Sequence, residues 1–143
     1  MPASAELLDV NVWLALAVHG HPHHPSALRA WPELQQPTFC RVTQLGLLRL
    51  LCNRQVMGAD VFEPRTAWAE YDRLLAAGSV QFLHEPADLE TVFKSLAKGG
   101  KAARDFWTDA YLAAFAKAGQ LRLVTFDSGF SRFANLDCLL LEP

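Results

Sequence analysis

Short apolar runs alternate along this chain with stretches of helical period, and two of those runs end directly in an aspartate. Glu6-Leu7-Leu8 leads into Asp9, and Leu121 to Phe126 leads into Asp127. Runs this short and this apolar suit strands buried on both faces. Further strands are expected over Thr38-Phe39-Cys40, Val80 to Leu83 and Cys138 to Leu141. Helices are expected from Asn11, as a cap, through Ala17, over Ser26 to Leu34 with a break after Trp31 at Pro32, and from a Thr43 cap to Leu51. Three more are expected over Thr66 to Ala76, Asp88 to Leu96 and Phe106 to Ala118, the last stopped by Gly119. His19 to Pro25, Gln35 to Pro37 and Asn53 to Pro64 read as irregular. Strands alternating with helices predict one α/β domain over residues 1–143, with a central, mainly parallel sheet flanked by helices.

Composition narrows the function classes. The apolar fraction is 51%, enough for a core, which excludes disorder. The 13 Lys and Arg nearly balance the 15 Asp and Glu, which excludes a protein that coats nucleic acid by bulk charge. Cys40, Cys52 and Cys138 lack C-x-x-C spacing and read as buried thiols of a reducing cytoplasm rather than a disulfide or zinc framework. The first apolar run, Leu7 to Val18, carries Asp9 and Asn11 and falls short of the ~20 residues a bilayer helix needs. With no basic residue before it, it is a poor signal peptide, so a cytoplasmic protein with no membrane partner is expected.

In a parallel sheet Asp9 and Asp127 lie on one edge, beyond the carboxyl ends of their strands, where sites of α/β proteins form. The helix that feeds the strand at 121–126 starts at the same edge and carries Asp109 in its first turn. Taken singly, Asp109 suits a helix macrodipole, Asp127-Ser128-Gly129 a turn and Asp9 a loop. Together they form a converging acidic set whose repulsion and desolvation a hard divalent cation relieves. Such a cation assists phosphodiester hydrolysis. Lys94, Lys98, Lys101 and Arg104 lie in a window, 91–104, that holds no acid, and they form a candidate phosphate-backbone patch just before the Asp109 helix. A solvated helix end is the plainer account of that patch. His19, His21, His23 and His24 are read as structural or surface residues, since no strict ligand spacing accompanies them. The tryptophans are read as core or dimer contacts, with Trp107, close to Asp109, the best candidate for base stacking.

Four blocks, LLDVNVWLALAVHGHPHHPSALRAW at 7–31, FCRVTQLGLLRLLCN at 39–53, FWTDAYLAAFAKAG at 106–119 and LVTFDSGFSRF at 123–133, resemble the PIN-domain family. Within it they resemble the VapC-type toxins of bacterial toxin–antitoxin pairs, and a subgroup abundant in mycobacteria. The resemblance spans nearly the whole chain. It implies a Mg²⁺- or Mn²⁺-dependent endoribonuclease acting on single-stranded or looped RNA, a homodimer, and a small VapB-type antitoxin that blocks the site. It assigns the metal to Asp9, Asp109 and Asp127, and support of the metal or its water to Asn11 and Thr125. One departure stands out. Where many members carry Glu in a Thr-x-x-Glu pattern, Thr43-Gln44-Leu45-Gly46 places Gly46. Asp105, four residues before Asp109, is a substitute ligand or simply a helix N-cap. The rival reading is a catalytically weakened PIN domain acting as an RNA- or antitoxin-binding module. A small-molecule phosphohydrolase or phosphoacceptor is a weaker rival, because Asp9-Val10-Asn11 lacks the second Asp and the Thr of a D-x-D-x-T motif.

Overall fold

A computed structural model describes residues 5–143. Five strands, β1 (Ala5–Leu8), β2 (Gln36–Phe39), β3 (Gln81–Phe82), β4 (Arg122–Thr125) and β5 (Cys138–Leu140), form one sheet in the order β3-β2-β1-β4-β5. Every pairing is parallel. The helices are α1 (Val10–Ala17), α2 (His24–Ala30), α3 (Arg41–Leu51), α4 (Arg54–Met57), α5 (Pro64–Leu75), α6 (Leu89–Lys98) and α7 (Phe106–Gly119).

Alternation along each strand divides the core. Side chains of neighbouring strand residues point to opposite faces. Leu7 and Leu123, paired across β1 and β4, pack with Ala110, Leu112, Ala113 and Phe115 of α7. Leu8 and Val124, one step on, pack with Trp13 of α1, Leu47 of α3 and Tyr71 of α5. All four strand side chains are fully buried, which explains why these strands read as unbroken apolar runs. The alanines of α7 bring that helix close against the sheet. The chain winds outward from β1 through β2 to β3, then returns to β4 on the other side of β1. The order therefore reverses between β1 and β4, the switch point where α/β sheets open a crevice.

Several local expectations are corrected. Asp9, not Asn11, caps α1: its side chain accepts the Val10 N–H, and Asn11 lies inside the helix. Thr43 is not a cap but the third residue of α3. Its hydroxyl accepts the Cys40 N–H at 2.9 Å, completing a capping box from the inside. α2 starts at His24 because Pro25, with no N–H to lose, is tolerated in a first helical turn. Beyond Ala30 the chain tightens to a 3₁₀ turn over Trp31–Glu33, at the Pro32 break. The 53–64 stretch holds α4 and a 3₁₀ turn. Gly119 belongs to α7, and it is Gln120 that takes the left-handed conformation ending the helix. Of the cysteines only Cys40 is buried, and Cys138 is exposed.

Glu6 is a buried strand residue whose carboxylate accepts the N–H groups of Gln35 and Gln36, each at 2.9 Å, at the entry to β2. The histidines tie the α1–α2 turn together. His24 Nδ1 bonds the Ala15 carbonyl at 2.7 Å, His21 Nδ1 accepts the His23 N–H, and His23 stacks on Phe126. No helix among the described residues is long and apolar enough to cross a membrane.

Candidate active site

The carboxyl edge of the sheet at the β1/β4 switch point is built from strand ends. Asp9 leaves β1 and immediately caps α1. Its Oδ1 accepts the Val10 N–H at 2.7 Å, and its Oδ2 accepts the Thr125 hydroxyl at 2.7 Å. Thr125, the last residue of β4, is fully buried. Its Oγ1 also accepts the Asp127 N–H at 3.0 Å and the Asn11 amide at 3.4 Å. A threonine hydroxyl has one hydrogen and two lone pairs, so Thr125 is saturated by its protein partners. It acts on the site through Asp9. Asn11, one helical position beyond Val10, bridges from Thr125 to the Phe126 N–H, which its Oδ1 accepts at 3.4 Å.

Asp127 stands after β4 as the cap of a 3₁₀ turn over Ser128–Arg132, with its Oδ1 accepting the Gly129 N–H at 2.8 Å. Asp109 enters from the first turn of α7 and is buried. Its Oδ2 accepts a hydrogen bond from Arg132 Nη2 at 2.9 Å. Sequence reasoning missed Arg132. The 3₁₀ turn folds it back from Asp127 toward α7, and its guanidinium also donates to the Gly129 carbonyl and lies 4.7 Å over the Phe133 ring. A β-carbon on Gly129 would stand 2.8 Å from Arg132 Nη1, so glycine makes room for this arrangement. Nothing in a lone arginine within SGFSRF signals that contact.

The acids sense one another. Burial raises the Asp9 carboxyl to about 6, with Asp109 and Asp127 adding to the rise, while the Thr125 and Val10 hydrogen bonds oppose it. Burial also raises Asp109, against the pull of Arg132, and Asp127 and Asp105 add to the rise. Asp105 occupies the N-cap position of α7 with no capping bond from its side chain and is exposed. Among the described residues no three His, Cys, Asp or Glu side chains form a ready metal cage. Each acid is instead tied to a protein donor: Asp9 to Thr125, Asp127 to Gly129, Asp109 to Arg132. The donor set itself, hard carboxylate oxygens, suits Mg²⁺ or Mn²⁺, which keep several waters and need few protein ligands.

Gly46 has a structural reason. It lies where α3 crosses α1, and a β-carbon there would meet Val10 Cγ2 at 2.6 Å. A glutamate at 46 does not fit beside Val10 as it stands.

The PIN domain family model matches residues 7–136. The chain belongs to the PIN-domain family. It is 44% identical to Ribonuclease VapC41 of Mycobacterium tuberculosis over 94% of this chain and 97% of that protein. Among solved structures, M. tuberculosis VapC20, described as a sarcin–ricin loop cleaving toxin, superposes with a TM-score of 0.67 at 22% identity, covering 92% of this chain and 95% of its own. The VapBC2 complex of Rickettsia felis, bound to a DNA fragment from its promoter, gives 0.68 at 15% identity, covering 96% of this chain and 99% of that one. At those identities the two structures carry the fold alone. Within this PIN domain, the strand-end acids Asp9 and Asp127 and the helix-start acid Asp109 are near enough for the charges of Asp109 and Asp127 to raise the Asp9 carboxyl.

Proposed function

We propose that this PIN domain is a metal-dependent endoribonuclease, the toxin of a toxin–antitoxin pair, acting in the cytoplasm and restrained by a VapB-type antitoxin. The observation that carries the reading is that the charges of Asp109 and Asp127 reach Asp9 at the β1/β4 switch point, in a chain 44% identical to a ribonuclease over nearly its whole length. The antitoxin follows from structural neighbours that are toxin–antitoxin assemblies, including those of Rickettsia felis and Klebsiella pneumoniae. A homodimer is part of the same proposal.

Asp9, Asp109 and Asp127 would hold Mg²⁺ or Mn²⁺, with Asp105 near enough to Asp109 to add negative charge. Bound there, the cation lowers the pKa of water and offsets charge on the attacked phosphate. Asn11 has two amide hydrogens and gives one to Thr125. The other is available to orient a water or a phosphate oxygen. Thr125 keeps the Asp9 carboxylate in place. Arg132 must leave Asp109 or share it when the cation binds. Lys94, Lys98, Lys101 and Arg104, all exposed, would lie along the RNA backbone, although Lys94 also pairs with Glu90 at 3.5 Å.

The test is cleavage of a pool of structured RNAs by antitoxin-free protein with Mg²⁺, Mn²⁺ or EDTA, beside Asp9→Asn. Metal-dependent cuts that vanish in the variant are expected. RNA or antitoxin bound without any cut would favour the rival binding module, with Gly46 as its cause. Full activity of Asp9→Asn would overturn the site assignment.

A further inference from the structure

We propose that the cleft between α6 and α7 is a subsite for one unpaired base of the RNA substrate, stacked on Trp107; this rests on the ribonuclease reading above. The cleft has a volume of about 180 Å³ and is lined by Phe93, Ala97 and Trp107 with Lys94 and Lys98 at its edges. Trp107 is 61% exposed, the most exposed large apolar side chain described. It is nonetheless held. Phe93 meets it edge-on at 6.2 Å and Phe106 at 5.3 Å, two T-shaped contacts that orient the indole without covering it. Phe106 is locked in turn, because a β-carbon on Gly100 would lie 2.2 Å from its ring. The close approach of Gly100 to Phe106 brings the end of α6, with Lys98, against the start of α7. An oriented, exposed aromatic flanked by cations is what a splayed base and its phosphates require.

Charge and shape select the occupant. The 91–104 stretch carries four basic residues and no acid, which matches a phosphate backbone. A partner helix needs a row of anchor pockets at successive turns, and this cleft offers room for one group. A second copy docked here about a two-fold axis would bring Lys94 and Lys98 toward their own counterparts, like charge against like. Trp107 and Asp109, two residues apart in the first turn of α7, point to different sides of that helix. A strand lying over the helix end would then place the stacked base a few nucleotides from the bond cut at the acids.

The test uses a fluorescein-labelled single-stranded RNA that the wild-type protein cleaves, and a set of copies each lacking one base. Binding is read by anisotropy with EDTA present, and cleavage by KM and kcat with Mg²⁺. Trp107→Ala is expected to weaken binding and raise KM about tenfold with kcat little changed, and Trp107→Phe to restore most of the loss. One abasic position should weaken wild-type binding by a similar factor and leave Trp107→Ala unaffected. The indole N–H resonance of Trp107, assigned through Trp107→Phe, should shift on RNA addition. Trp107→Ala that binds and cuts every copy as wild type does overturns the subsite alone. Loss of antitoxin binding instead of RNA binding makes the cleft a protein-docking face, which also overturns it. Wild-type protein that neither binds nor cuts RNA overturns the ribonuclease reading and the subsite with it.

Discussion

Asp9 and Asp109 lie close enough for their charges to couple but are held in different ways. Asp9 sits between two buried strand ends, with both carboxylate oxygens bonded at 2.7 Å by a backbone N–H and a fully buried hydroxyl. Asp109 has one partner, Arg132, whose side chain is 41% exposed and comes from a 3₁₀ turn rather than from the sheet. Half of the site is therefore preorganised by the core. The other half is tethered by a surface cation that can exchange with another. A site that, as proposed, admits a metal and a polyanion would benefit from both. Rigid acids set the geometry, and one adjustable acid lets charge be redistributed as ligands arrive.

The largest expected effect breaks the rigid half. Asp9→Asn removes the charge and keeps one oxygen to cap the Val10 N–H, but its amide nitrogen then faces the Thr125 hydroxyl, whose lone pairs are already taken. Its cleavage should fall to background. Its metal-free stability should change in the opposite sense. The folded Asp9 carboxyl titrates at about 6, against 3.8 when unconstrained. The folded state therefore holds that proton where the unfolded state has lost it, and stability declines as pH rises from about 4 to about 6. Asp9→Asn should lack that decline. Relative to wild type it should gain up to about 3 kcal/mol between pH 4 and pH 7, on top of a pH-independent loss from the Thr125 hydrogen bond, in urea unfolding with EDTA.

Next comes the packing that excludes a further carboxylate. Gly46→Glu drives a β-carbon into Val10 and should cost about 1–3 kcal/mol or more, with Val10→Ala on the same chain recovering part of it. Equal stability of Gly46→Glu and wild type would mean that α1 and α3 can separate. Thr125→Val sharpens the comparison. It strips the donor from Asp9 and the acceptor from the Asp127 N–H, at a cost of about 1–3 kcal/mol. Because the lost hydrogen bond lowered the Asp9 pKa, the pH-dependent decline should extend above pH 6. The smallest effect belongs to the adjustable half. Arg132→Ala breaks a pair that is half-exposed at Arg132 but buried at Asp109, and should cost about 1 kcal/mol, the low end for a buried acceptor left unpaired, yet bind Mn²⁺ several-fold more tightly by calorimetry because Asp109 is released. Unchanged Mn²⁺ affinity would show that Arg132 does not compete for Asp109.

The two halves were also unequally legible. Asp9 and Asp127 announce themselves, because a carboxylate that ends a β-prone apolar run has few places to be except the carboxyl edge of a parallel sheet. Asp109 follows from the Ala-rich helix that feeds β4. Arg132 does not, because its partner lies 23 residues away and the contact depends on how a turn closes. The same distinction explains the cap errors. Asn11 and Thr43 are good capping residues by type, but the first helical residue was decided by where the strand before it ended. Glu6 and Gly46 carry no local signal at all. One is a buried carboxylate used by another strand's backbone, the other a contact distance between two helices.

By itself the sequence determined the α/β class, the one-sided placement of three acids and the helix that delivers Asp109, because periodicity and strand-end position are local properties of the chain. The tertiary structure alone decided that Thr125 is saturated, that Arg132 holds Asp109, that a β-carbon at 46 meets Val10, and that Trp107 stands exposed beside Lys94 and Lys98. Those depend on distances between segments far apart in the chain, set when the two faces of the sheet pack.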